Sequence, residues 1–402
     1  MQRSVSLSDT AGLREMGLFG FSGIRGVSVS EQTSLSLSVL WACVRILGDA
    51  VAQLPLSIIE DGTKRKATDH PIYMLLALRP NSYQTSATFR RYIDGCVRLW
   101  GNGYARIQRN GSYRPIALHP KHPADVSIID RRKEEGLVYY QMDGELVPAY
   151  DVLHFVGSVI CANGIEGRRV VSVAAEMLGM QIANQREMAN FYQDGANLQY
   201  ALKHPGKLSD PAANRLSGTF DQKYTGVGKR RVIVLEEGMG IESIGLPPGD
   251  AKFIETAKLG ALDICRFFGV PPHMVAELDR ATFSNIEEQG IGFLVQTLTP
   301  SLVNYEQEYR LKLLREVEIP RFVIKHNTNA LMRAKAADRA AFYAQMRQNG
   351  LLNADEIRDL EDLPEQPDGQ GKHYLVNGNM ISVATAALQQ PGANNQQTQP
   401  AA

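Results

Sequence analysis

Apolar positions recur at three- and four-residue steps from Leu37 through Leu40, Trp41, Val44, Leu47 and Val51 to Leu54, the spacing of one face of an α-helix. Pro55 ends that stripe, and Leu56–Glu60 behind it reads as a strand running into the turn Asp61-Gly62. Two further helical stretches follow, near residues 71–78 and 85–100. The pattern then switches to alternation at 104–109, 113–118, 126–130, 137–142 and 152–156, with Asn110-Gly111 and Asp143-Gly144 as hairpin turns. Residues 30 to about 160 are therefore expected to form one α+β domain around an antiparallel sheet.

Helical spacing returns at 170–193, with Val173, Met177, Met180, Ala183, Met188 and Phe191 among its apolar positions. Residues 196–248 have a different texture: a short helical piece at 211–224, the basic turn Gly226-Val227-Gly228-Lys229-Arg230-Arg231, and strands at 232–235 and 241–245. This reads as a small α/β insert. A second helix, Asp250–Phe268, is stopped by Gly269-Val270-Pro271-Pro272. Ser284 with Glu287 three residues on fits a capping box, so another helix is expected to begin near Ser284. The stretch between the two helices is a polar elbow. Beyond it, Ile291, Leu294, Leu298, Leu302, Tyr305 and Leu313 extend one long helix, and Pro300 inside it predicts a kink. Residues 322–324 read as a short strand and 330–348 as a helix ending at Asn349-Gly350. Asn353, with Glu356 three residues on, starts another.

Composition changes this picture only by exclusion. The chain has 402 residues, 43 Lys plus Arg and 43 Asp plus Glu, so its formal net charge is zero. A whole-chain basic footprint for gripping nucleic acid is absent. Cys43, Cys96, Cys161 and Cys265 share no CxxC or Cys/His spacing, which points to free thiols in a reducing compartment. No apolar run is long enough to span a bilayer, and the first residues lack a signal-peptide core, so the protein is expected to be cytosolic where it is made. Residues 1–29 read as a flexible N-terminal arm, and the Gln/Asn/Pro/Ala tail from Gln389 as disordered.

No catalytic spacing in the chain is complete. Residues 225–230 contain a Gly-Lys pair but lack the earlier Gly and the Ser/Thr of a phosphate-binding loop. His119 and His122 lie close in sequence, but Pro120 and Pro123 disturb any regular element that would aim both at one metal. Glu236-Glu237 sits in an expected hairpin, and neither GxSxG nor HExxH occurs. The expectation is a protein with no catalytic residues, no metal and no cofactor.

The order of parts carries a resemblance. Residues 38–56 (SVLWACVRILGDAVAQLPL), Arg79-Pro80-Asn81, Trp100-Gly101-Asn102-Gly103-Tyr104, Pro205-Gly206-Lys207-Leu208-Ser209, Val234-Leu235-Glu236-Glu237-Gly238, Phe267-Phe268-Gly269-Val270-Pro271-Pro272 and Phe283-Ser284-Asn285-Ile286-Glu287-Glu288-Gln289 appear in one sequence. Together they resemble the tailed-bacteriophage portal proteins of the HK97 type, over residues 30 to about 380. The resemblance implies an α+β multidomain portal fold. Its parts would be a wing at 30–165, stem helices at 166–196 and 248–275 flanking an α/β clip at 197–247, a tunnel loop at 276–286, a kinked wing helix and return strand at 287–330, and a helical crown at 331–385. A disordered tail would follow at 386–402.

The resemblance further implies a virion protein, assembled in the host bacterial cytoplasm. It would form a dodecameric ring at a unique capsid vertex, the conduit for genome packaging and DNA ejection. Its partners would be its own copies, the large terminase subunit, a head-tail adaptor, the major capsid protein or scaffold, and double-stranded DNA passing without sequence readout. No membrane is implied. Arg280, Thr282, Phe283, Ser284 and Asn285 would project into the channel. A sliding conduit should avoid a dense basic lining, and one arginine in the elbow suits that. Lys229, Arg230 and Arg231 would meet terminase, an adaptor or DNA near the exit, or else form a solvated hairpin tip. Stem residues such as Met188 and Phe253 would be covered by neighbouring subunits. Two other classes stand beside this one: a ring-forming head-tail adaptor without a packaging role, and a prohead protease, for which a nucleophile constellation is missing.

Overall fold

The computed structural model describes residues 21–22, 28–193, 200–203, 211, 240–243, 250–276, 289–328, 336–361 and 363–375. The chain divides into two compact units between Asn327 and Thr328. In the first unit, β1 (Phe21–Ser22) pairs antiparallel with β2 (Ser28–Val29), so pairing reaches back into the stretch read as a loose arm. Ser30 then caps α1 (Glu31–Ser34): its Oγ accepts from the Thr33 N–H at 3.1 Å, while Thr33 Oγ1 accepts from the Ser30 N–H at 2.7 Å.

Helix α2 (Ser38–Gln53) buries Leu40, Cys43, Leu47 and Val51, as the spacing predicts. Trp41, expected on the same stripe, is 57% exposed instead. It lies about 100° around the helix from Leu40 and faces outward. Pro55 separates α2 from β3 (Leu56–Glu60), and Arg90 takes up the carbonyls left open at the helix end. Its Nη2 donates to Ala52 O at 2.9 Å and its Nη1 to Leu54 O at 2.6 Å.

After α3 (Tyr73–Ala77), Thr85 caps α4 (Ser86–Trp100) by accepting from the Thr88 N–H. Helix α4 ends on Gly101, whose φ of 76° closes the last turn and launches β4 (Asn102–Arg109). There β5 (Pro115–Lys121) and β9 (Val152–Val156) flank β4, while β6 (Val126–Arg131), β7 (Leu137–Met142) and β8 (Glu145–Pro148) form a second antiparallel sheet. Both expected hairpin turns are present, β4–β5 around Asn110 and β7–β8 through Asp143 and Gly144. The single sheet expected from sequence is instead three. Hairpin turns fix only neighbouring strands, and β3 finds its partner in β12 (Phe322–His326), far along the chain. Strand β8 was not foreseen, although it is the second arm of the Asp143-Gly144 hairpin.

Between the two three-stranded sheets lies a core of Tyr104, Tyr140, Met142, Val147 and Val152. His154 is buried within it. Asn102 Oδ1 already accepts from the Gly167 N–H at 2.8 Å, so the His154 Nε2–H donates to that oxygen at 3.0 Å, and Nδ1 accepts from the Tyr140 hydroxyl at 2.9 Å. The Tyr104 ring stacks on the imidazole with centroids 4.6 Å apart. Burial, assisted by the Lys312 charge, pushes the His154 pKa down to about 3.

The unfolded chain therefore takes up this proton and the folded chain does not. Stability from this group is complete above pH ~6.5 and declines as pH falls toward about 3. His70 and His326, also lowered chiefly by burial, act in the same direction. Urea unfolding at pH 7.5 and 4.5 is expected to differ by about 2–3 kcal/mol from His154 alone. His154→Gln should be less stable at pH 7.5 but should flatten that slope, and an unchanged slope would remove His154 as its cause.

Helix α5 (Val170–Val173) breaks at Ala174 before α6 (Ala175–Gln193), so the helix expected over 170–193 comes in two pieces. Strands β10 (Tyr200–Lys203) and β11 (Gly240–Ser243) pair antiparallel. Helix α7 (Asp250–Phe268) has the bounds expected from sequence and packs against α6. Gln181 of α6 occupies the space over Gly260 of α7, where a Cβ would lie 1.9 Å from its Nε2.

Helix α8 (Thr299–Leu313) is the spine of this unit. Asn304 Nδ2 donates to Val156 O at 2.8 Å, Glu308 Oε1 accepts from the His154 N–H at 2.9 Å, and Lys312 Nζ donates to Ala149 O at 2.6 Å. On another side, Glu306 Oε1 accepts from the His326 N–H at 2.7 Å. Polar side chains of one helix thus satisfy the open edges of β9 and β12, where an unpaired strand would otherwise expose its backbone. Beneath them, Asp94 of α4 accepts from the Tyr305 hydroxyl at 2.8 Å and pairs with Arg98 at 3.2 Å.

In the second unit, α9 (Ala336–Gln348) is followed by α10 (Ala354–Leu360), which starts on the expected capping box. Asn353 Oδ1 accepts from the Glu356 N–H, and Glu356 Oε2 from the Asn353 N–H, both at 2.8 Å.

Candidate functional site: the base of the elbow

The sequence singles out the elbow after α7, and the structure describes its base from both sides. Gly269, at φ 65°, ends the helix; its N–H donates to Arg266 O, and the Val270 N–H donates to Cys265 O at 3.0 Å. Pro271 and Pro272 cannot carry the helix on, and the chain turns through a 3₁₀ segment, Pro272–Val275, to Ala276. On the far side, the chain is helical from Gln289 and becomes a π-helix over Phe293–Leu298.

That π segment is the structure's response to Pro300, where the sequence predicted a kink. Proline has no N–H for an α-type bond to residue 296, and its ring crowds the turn before it. The preceding turn widens instead. The Thr299 N–H reaches Leu294 O five residues back, and Thr299 Oγ1 donates to the same carbonyl at 2.8 Å. Phe293, Leu294 and Leu298 are buried, which anchors the widened turn.

Two hydrogen bonds join the sides. Thr297 Oγ1 donates to Gly269 O at 2.7 Å, tying the π-helix to the stop of α7. The fit is close: a Cβ on Gly269 would lie 2.8 Å from that hydroxyl. The second bond, His273 Nδ1 to Gln289 Oε1 at 2.6 Å, spans the ends of the intervening stretch 277–288. Since the amide oxygen only accepts, the proton is on Nδ1. Between these contacts lies a groove of about 500 Å³ lined by Leu262, Cys265, Arg266, Phe293, Gln296 and Thr297. Arg266 is paired with Asp263 at 2.5 Å on the exposed side of α7.

The tip residues Arg280, Thr282, Phe283, Ser284 and Asn285, and the basic turn Lys229, Arg230 and Arg231, lie outside the described residues. So do the capping box at Ser284 and Glu236-Glu237. The side chain of Phe253 is likewise outside them, and Met188 is half-buried. Gln289 and Thr297 were missed in the sequence. Their partners are too far along the chain for any spacing rule to find, although Pro300 marked the region.

The two nearby histidines have separate structural tasks. His119 Nε2 meets Gln108 Oε1 at 2.9 Å, whereas His122 Nδ1 accepts from the Ala124 N–H at a 3₁₀ turn and its ring lies edge-on to Trp100. Among the described residues, no group of three or more His, Cys, Asp or Glu could hold a metal ion. No described helix is long and apolar enough to cross a membrane. The described base of the elbow fixes the two ends of the intervening stretch.

Comparison with known proteins bears on the whole chain. Residues 38–362 match the family model described as "Phage portal protein". The chain is 30% identical over 354 residues to the portal protein of Enterobacteria phage HK97, covering 85% of this chain and 82% of that protein. Among solved structures, its fold is similar to an HK97-family phage portal protein from Corynebacterium diphtheriae, with a TM-score of 0.59 at 17% identity, covering 76% of this chain and 98% of the other. It is also similar to a chain in the neck of a native gene transfer agent particle computed with C12 symmetry. There the TM-score is 0.55 at 21% identity, and the coverage 89% and 99%.

Proposed function

The chain belongs to the phage portal protein family, and on that premise we propose that it assembles as a dodecameric ring at a unique capsid vertex and forms the conduit for double-stranded DNA in packaging and ejection. The observation that carries this reading is the built base of the elbow. Gly269 clamped to Thr297, with His273 joined to Gln289, holds both ends of residues 277–288 at fixed points. A short polar stretch held at both ends suits a loop presented to a channel. Residues 280 to 285 are its channel-facing part in this proposal.

The ring follows from a head-to-tail interface repeated by rotation, which buries different faces of the subunit on its two sides. Likeness to a chain in a neck computed with C12 symmetry supports twelve copies. Within each subunit, 30–165 with 287–330 serve as wing, α6 and α7 as stem, 197–247 as clip and 331–385 as crown. The clip docks the large terminase subunit and the head-tail adaptor, with Lys229, Arg230 and Arg231 as candidate contacts. The capsid protein or scaffold meets the ring from outside. No step is catalysed by the chain itself.

Negative-stain electron microscopy of the purified full chain is expected to show rings with a central hole wide enough for duplex DNA. A packaging assay should then show loss of packaged genome when residues 280–285 are replaced by Gly-Ser repeats, with rings intact. A monodisperse monomer at every salt and protein concentration would sink the ring. Rings that package normally with the replaced loop would leave a ring adaptor as the better description.

A further inference from the structure

Helix α8 and the helical turns that lead into it invert the usual pattern of a surface helix, which turns its charges to water and its apolar side to the core. Between Gln289 and Leu313 the charged residues are Glu306, Glu308, Arg310 and Lys312. Each is turned onto neighbouring backbone: the two glutamates accept from the His326 and His154 N–H groups, Arg310 Nη2 donates to Ile319 O at 2.7 Å, and Lys312 Nζ donates to Ala149 O. The outward side is left to Ile291, Val295, Val303 and Leu311, which are 53%, 58%, 42% and 64% exposed. The other exposed positions from 289 to 311 are Gln, Gly or Pro, so the whole outward side is uncharged. Depletion of charge around exposed apolar residues marks the core of a protein–protein interface.

The groove at the base of the elbow supplies a matching recess. Its volume is about 500 Å³, Leu262, Val270 and Phe293 give it apolar walls, and Arg266 beside them is paired with Asp263. Ile291 and Val295 do not line it, whereas Gly292, Phe293 and Gln296 do, so ridge and groove look out from different sides of one helix. A head-to-tail repeat requires just that, a projecting face on one side of the subunit and a receiving face on the other. Other occupants fit less well. Nucleic acid is gripped at its phosphates by Lys and Arg, and a membrane-surface helix carries a basic face beside its apolar one; the ridge has neither.

We propose that the outward side of this helix is an interface between copies of this chain, with Ile291 and Val295 of one copy seated in the groove between α7 and the π-helix of the next and Val303 extending the covered strip. Closure into a ring rests on the reading above; the pairing of ridge with groove does not, since it joins copies in any head-to-tail array. Gln289 and Thr297, which hold the two sides of the elbow together, line the same groove. Each copy's ridge therefore lies against its neighbour's elbow base. A charge added to the ridge would be buried in a recess whose own charge already has a partner, and the contact would be lost rather than slightly weakened.

The test uses the purified full chain, with mass read by light scattering and rings by negative-stain electron microscopy. Val295→Glu and Val295→Lys are each expected to lower the assembled fraction at least tenfold at fixed concentration. Two signs are used so that Arg266 or Asp263 of the neighbour cannot rescue both. Ile116→Glu, on an exposed apolar residue of β5, should leave assembly unchanged, and an unchanged circular dichroism spectrum separates lost contact from lost fold. The second measurement adds no charge: a chain carrying Cys161→Ser and Ile291→Cys is co-assembled with one carrying Cys161→Ser and Gln296→Cys, then oxidised. A disulfide-linked dimer is expected in the mixture at least tenfold above either chain alone. Assembly untouched by both charges, or lost equally with Ile116→Glu, would overturn the interface and leave the ring reading standing, as would a mixture without the linked dimer. Association short of a ring that both charges abolish would support the interface and overturn the ring alone. A monomer at every concentration would overturn both. Charged variants that assemble normally yet fail to package would assign this face to a different partner and overturn the proposal.

Discussion

Alanine at Asp94 is expected to destabilise the protein by about 3–5 kcal/mol, because it leaves a buried cation without its counter-charge. Asp94 is 0% exposed, and one carboxylate serves both the Arg98 guanidinium and the Tyr305 hydroxyl. Arg98 would retain its bond to the Ser301 hydroxyl at 3.1 Å, a neutral partner. Loss of the aspartate thus strands two polar groups between α4 and α8. Asp94→Asn keeps an acceptor for Tyr305 and should cost less. Replacing Asp94 and Arg98 together by Leu and Met removes both charges and should recover much of the loss. Denaturant midpoints for the three variants test this ordering. An Asp94→Ala shift below about 1 kcal/mol, the range of exposed pairs, would show that the pair is solvated rather than buried.

The second large effect is expected at Gly167. A Cβ there would stand 2.0 Å from Gly101 O and 2.9 Å from both Gly101 C and Gly157 N. These are backbone atoms, and Gly101 O already accepts the Gly157 N–H at 2.8 Å. Accommodation would require breaking that bond and parting the end of β9 from the Gly101 turn between α4 and β4. Gly167→Ala should therefore cost about 3 kcal/mol or more, at the upper end of overpacking. Gly164→Ala is the control, since its added Cβ meets nothing within 4 Å and only a φ of 70° opposes it; about 1–2 kcal/mol is expected there. Equal melting temperatures for the two variants would contradict the close approach.

The residues Trp100 to Tyr104, part of the signature that carries the family resemblance, sit at this junction. Gly101 turns the chain, Asn102 bonds Gly167 and His154, and Tyr104 covers the His154 ring. Glycine and asparagine in a sequence report local backbone demands. They do not show which distant backbone presses against that turn.

The same division runs through the fold. Helix α2 and strand β3 were legible because Pro55 punctuates a clear stripe, and α7 because Gly269-Val270-Pro271-Pro272 is a local stop. The Asn353–Glu356 cap is local as well. By contrast, the split into three sheets depends on β3 meeting β12, and the Asn304, Glu308 and Lys312 contacts depend on where β9 comes to rest. Arg90 reads as one more helix charge until the open carbonyls of Ala52 and Leu54 are placed beside it. At the candidate site, the stop and the disturbance around Pro300 were legible. The Thr297–Gly269 and His273–Gln289 bonds were not, for the same reason of range, and the tip residues belong to the proposal alone.

Helix α8 has a mechanical consequence. Asn304, Glu308 and Lys312 grip neighbouring backbone at successive turns along one side of the helix, while Glu306 grips β12 on another. A pull along the helix axis loads these attachments in parallel, so none can fail without its neighbours sharing the force; a sideways peel would take them one at a time. A pull transmitted through the π-helix at Phe293–Leu298, which runs directly into α8, would be carried along that axis and so meet the attachments in shear.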